Sequence, residues 1–232
     1  MSIKLYDLAT ADPKLRFSPY CWRIKMALAH KGLKWEEFPC AFTEKDRLPK
    51  PNSGTVPVLV DNGRVVSDSW NIAGYLDEHY PDKPLFSCAE SKSTALLIKF
   101  WIERTVHPLV TRMGVGDFMS ALQEKDKPYF RESREKRFGM PIETYISSRE
   151  QAREGFIVVL EPLRAMLAEQ PYVAGKHPAF ADYIVFGVLQ WMRCGSPFPA
   201  LHKDDPVFAY RARLLDLFDG LGLKASHREQ LD

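Results

Sequence analysis

The chain has little cysteine and no cysteine pair. Its four cysteines stand at 21, 40, 88 and 194, with no Cys-x-x-Cys and no metal-ligand spacing. A structural zinc site and a disulfide framework are therefore not expected. It lacks an excess of charge: 32 Lys and Arg face 30 Asp and Glu, a formal net charge of +2 in 232 residues. Cut after residue 84, each part balances as well, with 12 basic against 11 acidic residues and then 20 against 19. Neither part has the basic excess of a nucleic-acid or anionic-membrane binder. No apolar run approaches the roughly 20 residues of a membrane span. The first residues, Met1-Ser2-Ile3-Lys4-Leu5-Tyr6-Asp7, carry charges where a secretory signal needs an apolar stretch. No His-Glu-x-x-His, phosphate loop, Gly-x-Ser-x-Gly, internal repeat or low-complexity tract occurs. What remains is a soluble, cytoplasmic protein with reduced thiols, whose partner is a small molecule or another protein.

With 45% hydrophobic residues, the chain has enough apolar mass for a packed core. The first 84 residues change period repeatedly. Ile3 to about Ala9 reads as a strand, and Ser18-Pro19 opens a helix closed by Gly32. Leu33–Phe38 alternates as a second strand. Val56–Val60 and Arg64–Ser67 flank Asp61-Asn62-Gly63, a strong hairpin signal because Asn-Gly supplies positive φ values. Asp68-Ser69 caps a helix that ends at Tyr80-Pro81. The order is β-α-β-(short helix)-β-β-α. After a proline-containing connection everything is helical in pattern. Residues 91–112 carry Leu96, Leu97, Phe100, Trp101 and Val106 at helical steps. Residues 123–140 read as a charged, loosely attached helix or loop, and 143–168 as one long amphipathic helix. Residues 180–192 are almost wholly apolar, as a central helix should be, and 207–218 close a bundle. The expected architecture is α/β plus all-α, with domains at 1–84 and 91–232 joined by a linker at 85–90.

Three places along this order carry chemistry. At the first strand-to-helix junction, Ser18 and Pro19 suit the N-cap and the first helical position. A helix N-terminus also favours an anion, and a thiolate there is stabilised further by a serine hydroxyl. In the second place, Val56-Pro57, a trans edge proline is the ordinary case. A cis bond would instead turn the Val56 backbone outward to a peptide-like ligand. In the third, Asp68-Ser69 either caps the helix or holds the α-ammonium and α-carboxylate of a small peptide.

The sequence Ser18-Pro19-Tyr20-Cys21, then Val56-Pro57, then Asp68-Ser69, followed by a helical domain, resembles the glutathione S-transferase superfamily from Ile3 to about Gly222. Phe17–Arg23, Ala29–Gly32, Asp68-Ser69-Trp70-Asn71-Ile72-Ala73 and Phe180–Tyr183 are similar to its bacterial and fungal β-etherase-like branch. The resemblance implies a thioredoxin-like N-terminal domain, a helical-bundle C-terminal domain, glutathione as co-substrate, no metal, and a homodimer. It implies that Ser18 stabilises the glutathione thiolate, and that Pro57 is cis with Val56 pairing the cysteinyl part. Asp68 and Ser69 would hold the γ-glutamyl end, and Lys45, Arg47 or Lys50 would meet the glycine carboxylate. Asp182 fits the superfamily's helix-capping aspartate, although Ala179 stands where the reciprocal Ser or Thr is usual.

Cys21 marks a Cys-Pro-x-Cys motif whose first, nucleophilic cysteine is replaced by Ser18, so disulfide exchange is not expected. Cys21, Cys40, Cys88 and Cys194 read as buried small apolar packing residues. A small hydrophobic electrophile would lie between the domains, near Tyr20, Phe42, Trp101, His107, Arg112, Trp191 and Arg193. The expected activity is attack of the activated thiol on an apolar or aromatic electrophile, aryl ether cleavage being one outcome. The rivals are a glutathione-dependent dehalogenase or isomerase, and a non-catalytic binder of glutathione or apolar ligands.

Overall fold

A computed structural model describes residues 3–229; positions 1, 2 and 230–232 of the two expected domains lie outside it. The first unit is a four-stranded mixed sheet in the order β2-β1-β3-β4. β1 (Ile3–Leu8) runs parallel to β2 (Trp35–Cys40) and antiparallel to β3 (Val58–Asp61), which pairs with β4 (Arg64–Ser67). Parallel β1 and β2 need a crossover, and α1 (Pro19–His30) supplies it. Pro39 is tolerated within β2 because β2 is an edge strand. The hairpin is the one expected from Asn-Gly: Asn62 and Gly63 have φ of 47° and 89°. α2 (Ser69–His79) returns beneath the sheet, with Asp68 at its N-cap. The short helix expected between the second and third strands is a single 3₁₀ turn, Lys45–Arg47.

The connection to the helical unit is pinned. The Asp77 carboxylate accepts the Leu85 and Phe86 N–H groups at 2.8 and 2.9 Å and pairs with Lys31 at 2.6 Å. The helices then follow as α3 (Ala89–Trp101), α4 (His107–Ala121), α5 (Lys127–Phe138), α6 (Ile142–Ile146), α7 (Arg149–Val159), α8 (Glu161–Glu169), α9 (Phe180–Gly195) and α10 (Pro206–Gly220). A π-helical turn, Ile102–Val106, joins α3 to α4. Pro108 has no N–H for an ordinary i→i−4 bond, and a widened turn accommodates that gap.

Three expectations are corrected. Residues 91–112 do form helix, but Leu96, Leu97 and Phe100 face outward, Leu97 at 69% exposure. The inward face is Ala95, Ile98, Ile102 and Val106, one helical step away. Residues 143–168 are three helices, because the chain turns at Ser147-Ser148 and restarts at Glu161-Pro162. Phe156, Leu160 and Leu163 are buried, and Val159 is half-buried. The last helix runs as expected over 207–216 and kinks at Phe218 and Asp219, both at positive φ. The third correction concerns α5 and belongs with the site.

α9 is buried over its whole length, every residue from Phe180 to Gly195. At roughly 1.5–3 kcal/mol for each large apolar side chain taken out of water, it is the main stabilising element of the helical unit. It packs along α1 and so joins the two units. Gly187 makes the approach possible: a Cβ there would stand 2.4 Å from the Pro19 carbonyl oxygen. The start of α1 therefore rests on α9. No helix among the described residues is long and apolar enough to cross a membrane.

Candidate functional site

Ser18 is buried at the head of α1, and its Oγ accepts the Cys21 N–H at 3.3 Å. The Trp22 N–H goes to the Ser18 carbonyl, and Pro19 has no N–H to place. With its oxygen engaged as acceptor, the hydroxyl proton is the group Ser18 has left to donate. The side chain opens on a cavity of about 330 Å³ between the two units. The helix N-terminus behind it adds a partial positive charge.

Cys21 is one turn further on and wholly buried. Burial and the nearby Asp7 push its thiol well up, outweighing the lowering effect of Ser18. The stabilised thiolate that a helix start favours is therefore not that of Cys21. Burial likewise raises Cys40, and raises Cys194 to about 12, so neither is an available nucleophile. Cys88 departs from the expected packing role: it is exposed, because it stands at the N-cap of α3.

Val56 lines the same cavity, and the Val56–Pro57 bond is cis. Asp68 accepts the Trp70 and Asn71 N–H groups at 3.0 and 3.1 Å. Its φ of 75° is left-handed backbone in a residue other than glycine, a conformation costing on the order of 1–3 kcal/mol. Ser69 beside it is buried. Of the three basic candidates, Lys45 lines the cavity and donates to the Tyr129 hydroxyl at 2.8 Å. Arg47 is paired with Glu44 at 2.8 Å, and Lys50 is exposed; neither forms part of the cavity wall.

On the substrate side the cavity gathers Tyr20, Phe42, His107 and Trp191. It does not include Trp101, Arg112 or Arg193. The face of α4 turned to the cavity is His107, Thr111, Val115 and Phe118. Arg112 follows Thr111, about 100° around the helix, and lies over the Tyr145 ring at 4.7 Å. Trp101 is separated from His107 by the π turn. Arg193 points to the C-terminal segment, where it donates to the Gly222 carbonyl at 3.2 Å.

His107 stacks edge-on against Trp191 and Tyr20 with centroids 5.8 and 6.2 Å away. Burial, reinforced by Arg23, lowers it to about 4, so it is a neutral imidazole near pH 7. Burial also raises the Tyr20 phenol, which stays protonated.

The expected loose segment at 123–140 is the part most in need of correction. Asp126 is fully buried and accepts the Phe42 N–H, the Thr43 N–H and the Thr43 hydroxyl at 3.2, 3.0 and 2.7 Å. These bonds clamp the start of α5 onto the first unit. α5 thus forms a wall of the cavity through Tyr129, Phe130, Ser133, Arg134 and Arg137. None of these was singled out from the sequence. The signal was there: 130, 133, 134 and 137 repeat at helical spacing on one face.

Asp182 is also fully buried, and it is structural. Its carboxylate accepts the Val173, Ala174 and Ala179 N–H groups and the Tyr210 hydroxyl at 2.7–3.2 Å. The bond from Ala179 is the backward half of a capping box. The half lost with Ala179 is made up by partners from the preceding loop and α10. Among the described residues no three His, Cys, Asp or Glu side chains gather into a metal site.

Residues 13–84 match the model of the glutathione S-transferase N-terminal domain, and residues 95–197 that of the C-terminal domain. Glutathione S-transferase Z1 of Arabidopsis thaliana is 46% identical over 87 residues, 33% of this chain and 39% of that protein's length. Glutathione S-transferase U22 of the same plant is 25% identical over 179 residues, covering 75% of this chain and 69% of that protein. In fold, the chain is similar to a glutathione S-transferase of Ceriporiopsis subvermispora solved with glutathione. The TM-score is 0.76 and the identity 22%, over 94% of this chain and 96% of that one.

Proposed function

This chain belongs to the glutathione S-transferase superfamily, and from that membership and the Ser18 site we propose that it activates the thiol of glutathione. In this reading it is a Ser-type enzyme similar to the β-etherase-like branch. The observation that carries the reading is Ser18. Its oxygen is held by the Cys21 N–H, its proton remains to be donated, and it faces the cavity from a helix N-terminus.

The Val56 backbone beside Pro57 aligns the cysteinyl part of glutathione, and Asp68 with Ser69 holds the γ-glutamyl end. Lys45 meets the glycine carboxylate, being the basic side chain of the β2–β3 connection that reaches the cavity. The thiol proton leaves to solvent, and the Ser18 hydroxyl donates to the thiolate left behind. The sulfur attacks an electrophilic carbon, a C–S bond forms, and the leaving group departs with the bonding electron pair. An aryl alkyl ether reacts the same way with a phenolate leaving. A single donor aimed at developing charge supplies on the order of 10²–10³ in rate.

The protein acts in the cytoplasm, where thiols stay reduced. It acts as a homodimer, with the exposed Leu97 and Phe100 of α3 as apolar surface for the partner. Light scattering at the dimer mass is expected, and a monomer at micromolar concentration would remove that part.

The test of the central claim is the ultraviolet absorbance of bound thiolate against pH. Wild type is expected to ionise glutathione near neutral pH. Ser18→Ala is expected to raise the pKa of the bound thiol while glutathione binding is largely kept. Wild type with no thiolate at neutral pH and no turnover with any electrophile overturns the reading in favour of a binder.

A further inference from the structure

The α5 wall of the cavity presents two arginines with no carboxylate to meet them. Arg134 is half-buried, and its single side-chain bond goes from Nη1 to the neighbouring Ser133 hydroxyl at 3.1 Å. Its guanidinium lies over the Phe130 ring at 4.5 Å and the Phe42 ring at 5.7 Å. Arg137 follows three residues later on the same face and lines the same cavity. Among the described residues neither makes an ion pair. The acidic side chain of the cavity wall, Glu44, is already held by Lys125 and Arg47 at 2.9 and 2.8 Å. Loss of water and the adjacent Arg137 bring Arg134 down to about 10, so Arg134 is still charged at neutral pH.

Arg134 is half-buried and Arg137 exposed at the cavity rim, each without a counter-ion, and the planar fork of a guanidinium fits a carboxylate through two parallel bonds. The remaining wall is aromatic: Phe42, Phe130, Phe118 and Trp191, the last two stacked at 3.8 Å. His107, which faces Arg134, Arg137 and Arg23 as well as Glu103, is neutral and adds no competing charge.

We infer that the second substrate carries a carboxylate, or an anion of like geometry, on an aromatic body, and that Arg134 with Arg137 binds that anion while the aromatic wall holds the ring. This deepens the transferase reading and rests on it for the word substrate. The anion site itself is defined by the cavity. The arginines stand on α5, whereas the proposed glutathione contacts Ser18, Val56, Asp68 and Lys45 belong to the first unit, Lys45 reaching across the shared cavity to Tyr129.

Two measurements separate the claims. The first is calorimetric binding of naphthoate against its neutral analogue naphthamide to the intact protein. Wild type is expected to favour naphthoate by about tenfold or more, as for hydrogen bonds to a charged group. Arg134→Gln is expected to remove that preference while leaving naphthamide unchanged. Equal binding of the two by wild type overturns the inference, as does an equal loss of both in the variant. The second is turnover with glutathione of p-(chloromethyl)benzoate against p-methylbenzyl chloride. There the thiolate sulfur bonds the benzylic carbon and chloride leaves with the electron pair. Wild type is expected to prefer the carboxylate probe in kcat/KM, and Arg134→Gln to lose that preference with KM for glutathione unchanged. A rise in glutathione KM with both probes would place the arginines on the glutathione carboxylate and overturn the inference. Preference for naphthoate without thiolate or turnover sinks the transferase reading and leaves the anion site standing.

Discussion

The start of α9 and the middle of α5 each hold a charge withdrawn from water, and the fold treats them in opposite ways. Asp182 is surrounded by four donors, three of them backbone N–H groups of the loop that precedes it. Arg134 has one neutral partner, two aromatic faces and a second arginine. A buried charge that the chain itself satisfies holds the chain together. A half-buried charge without a counter-ion, in a cavity, is open to one that a ligand brings. The difference lies in the surroundings: both are single ionisable residues on helices of the same unit.

The comparison breaks most visibly in stability. Asp182→Ala strands several buried donors, each costing about 1–3 kcal/mol, so a loss of about 4 kcal/mol in chemical denaturation is expected. A loss under about 1 kcal/mol would remove the structural role. The next effect is on acid stability. His107 is held neutral in the folded protein down to about 4, against about 6.5 for an unperturbed imidazole. Below about 6.5 the unfolded chain takes up a proton that the folded chain refuses, so stability falls as pH drops toward 4. The full window is worth about 3 kcal/mol, and His107→Gln should flatten that part of the profile. An unchanged slope would show that His107 is free to charge beside the arginines.

Gly187→Ala sharpens the comparison from the scaffold side. Its Cβ meets the Pro19 carbonyl, so α9 and the Ser18 turn must part, at about 1–3 kcal/mol for overpacking. Bound glutathione should then ionise less readily; full activity with full stability would show that the turn does not depend on α9. The smallest effect is the most telling. Arg134→Gln should leave stability within about 0.5 kcal/mol of wild type or raise it, since it removes an uncompensated charge. A loss comparable to that of Asp182→Ala would mean that Arg134 is structural after all.

Much of the first unit was legible in the sequence because its signals are local. Asn62-Gly63 demands a hairpin, Ser18-Pro19 a helix start, and Asp68-Ser69 another. The apolar run of α9 announced a buried helix. The second unit was legible in content and less so in arrangement. Leu96, Leu97 and Phe100 looked like a core stripe, since spacing reports that a face exists and not which face is covered. Residues 123–140 looked loose because they are mostly charged. Their attachment runs through Asp126, Lys125 and Tyr129, whose partners lie more than 80 residues earlier. Arg112 and Trp101 seemed as good as His107 for the cavity until the π turn and the rotation of α4 placed them elsewhere.

The sequence by itself determined the order of elements in the first unit and the helical character of the second, because caps, turns and periodicity are settled by neighbours in the chain. Tertiary structure decided the other half of the cavity. Which arginine lacks a partner, which histidine is neutral and which helix face meets Ser18 all depend on groups brought together from distant positions. Burial acts on charge only once those groups are in place.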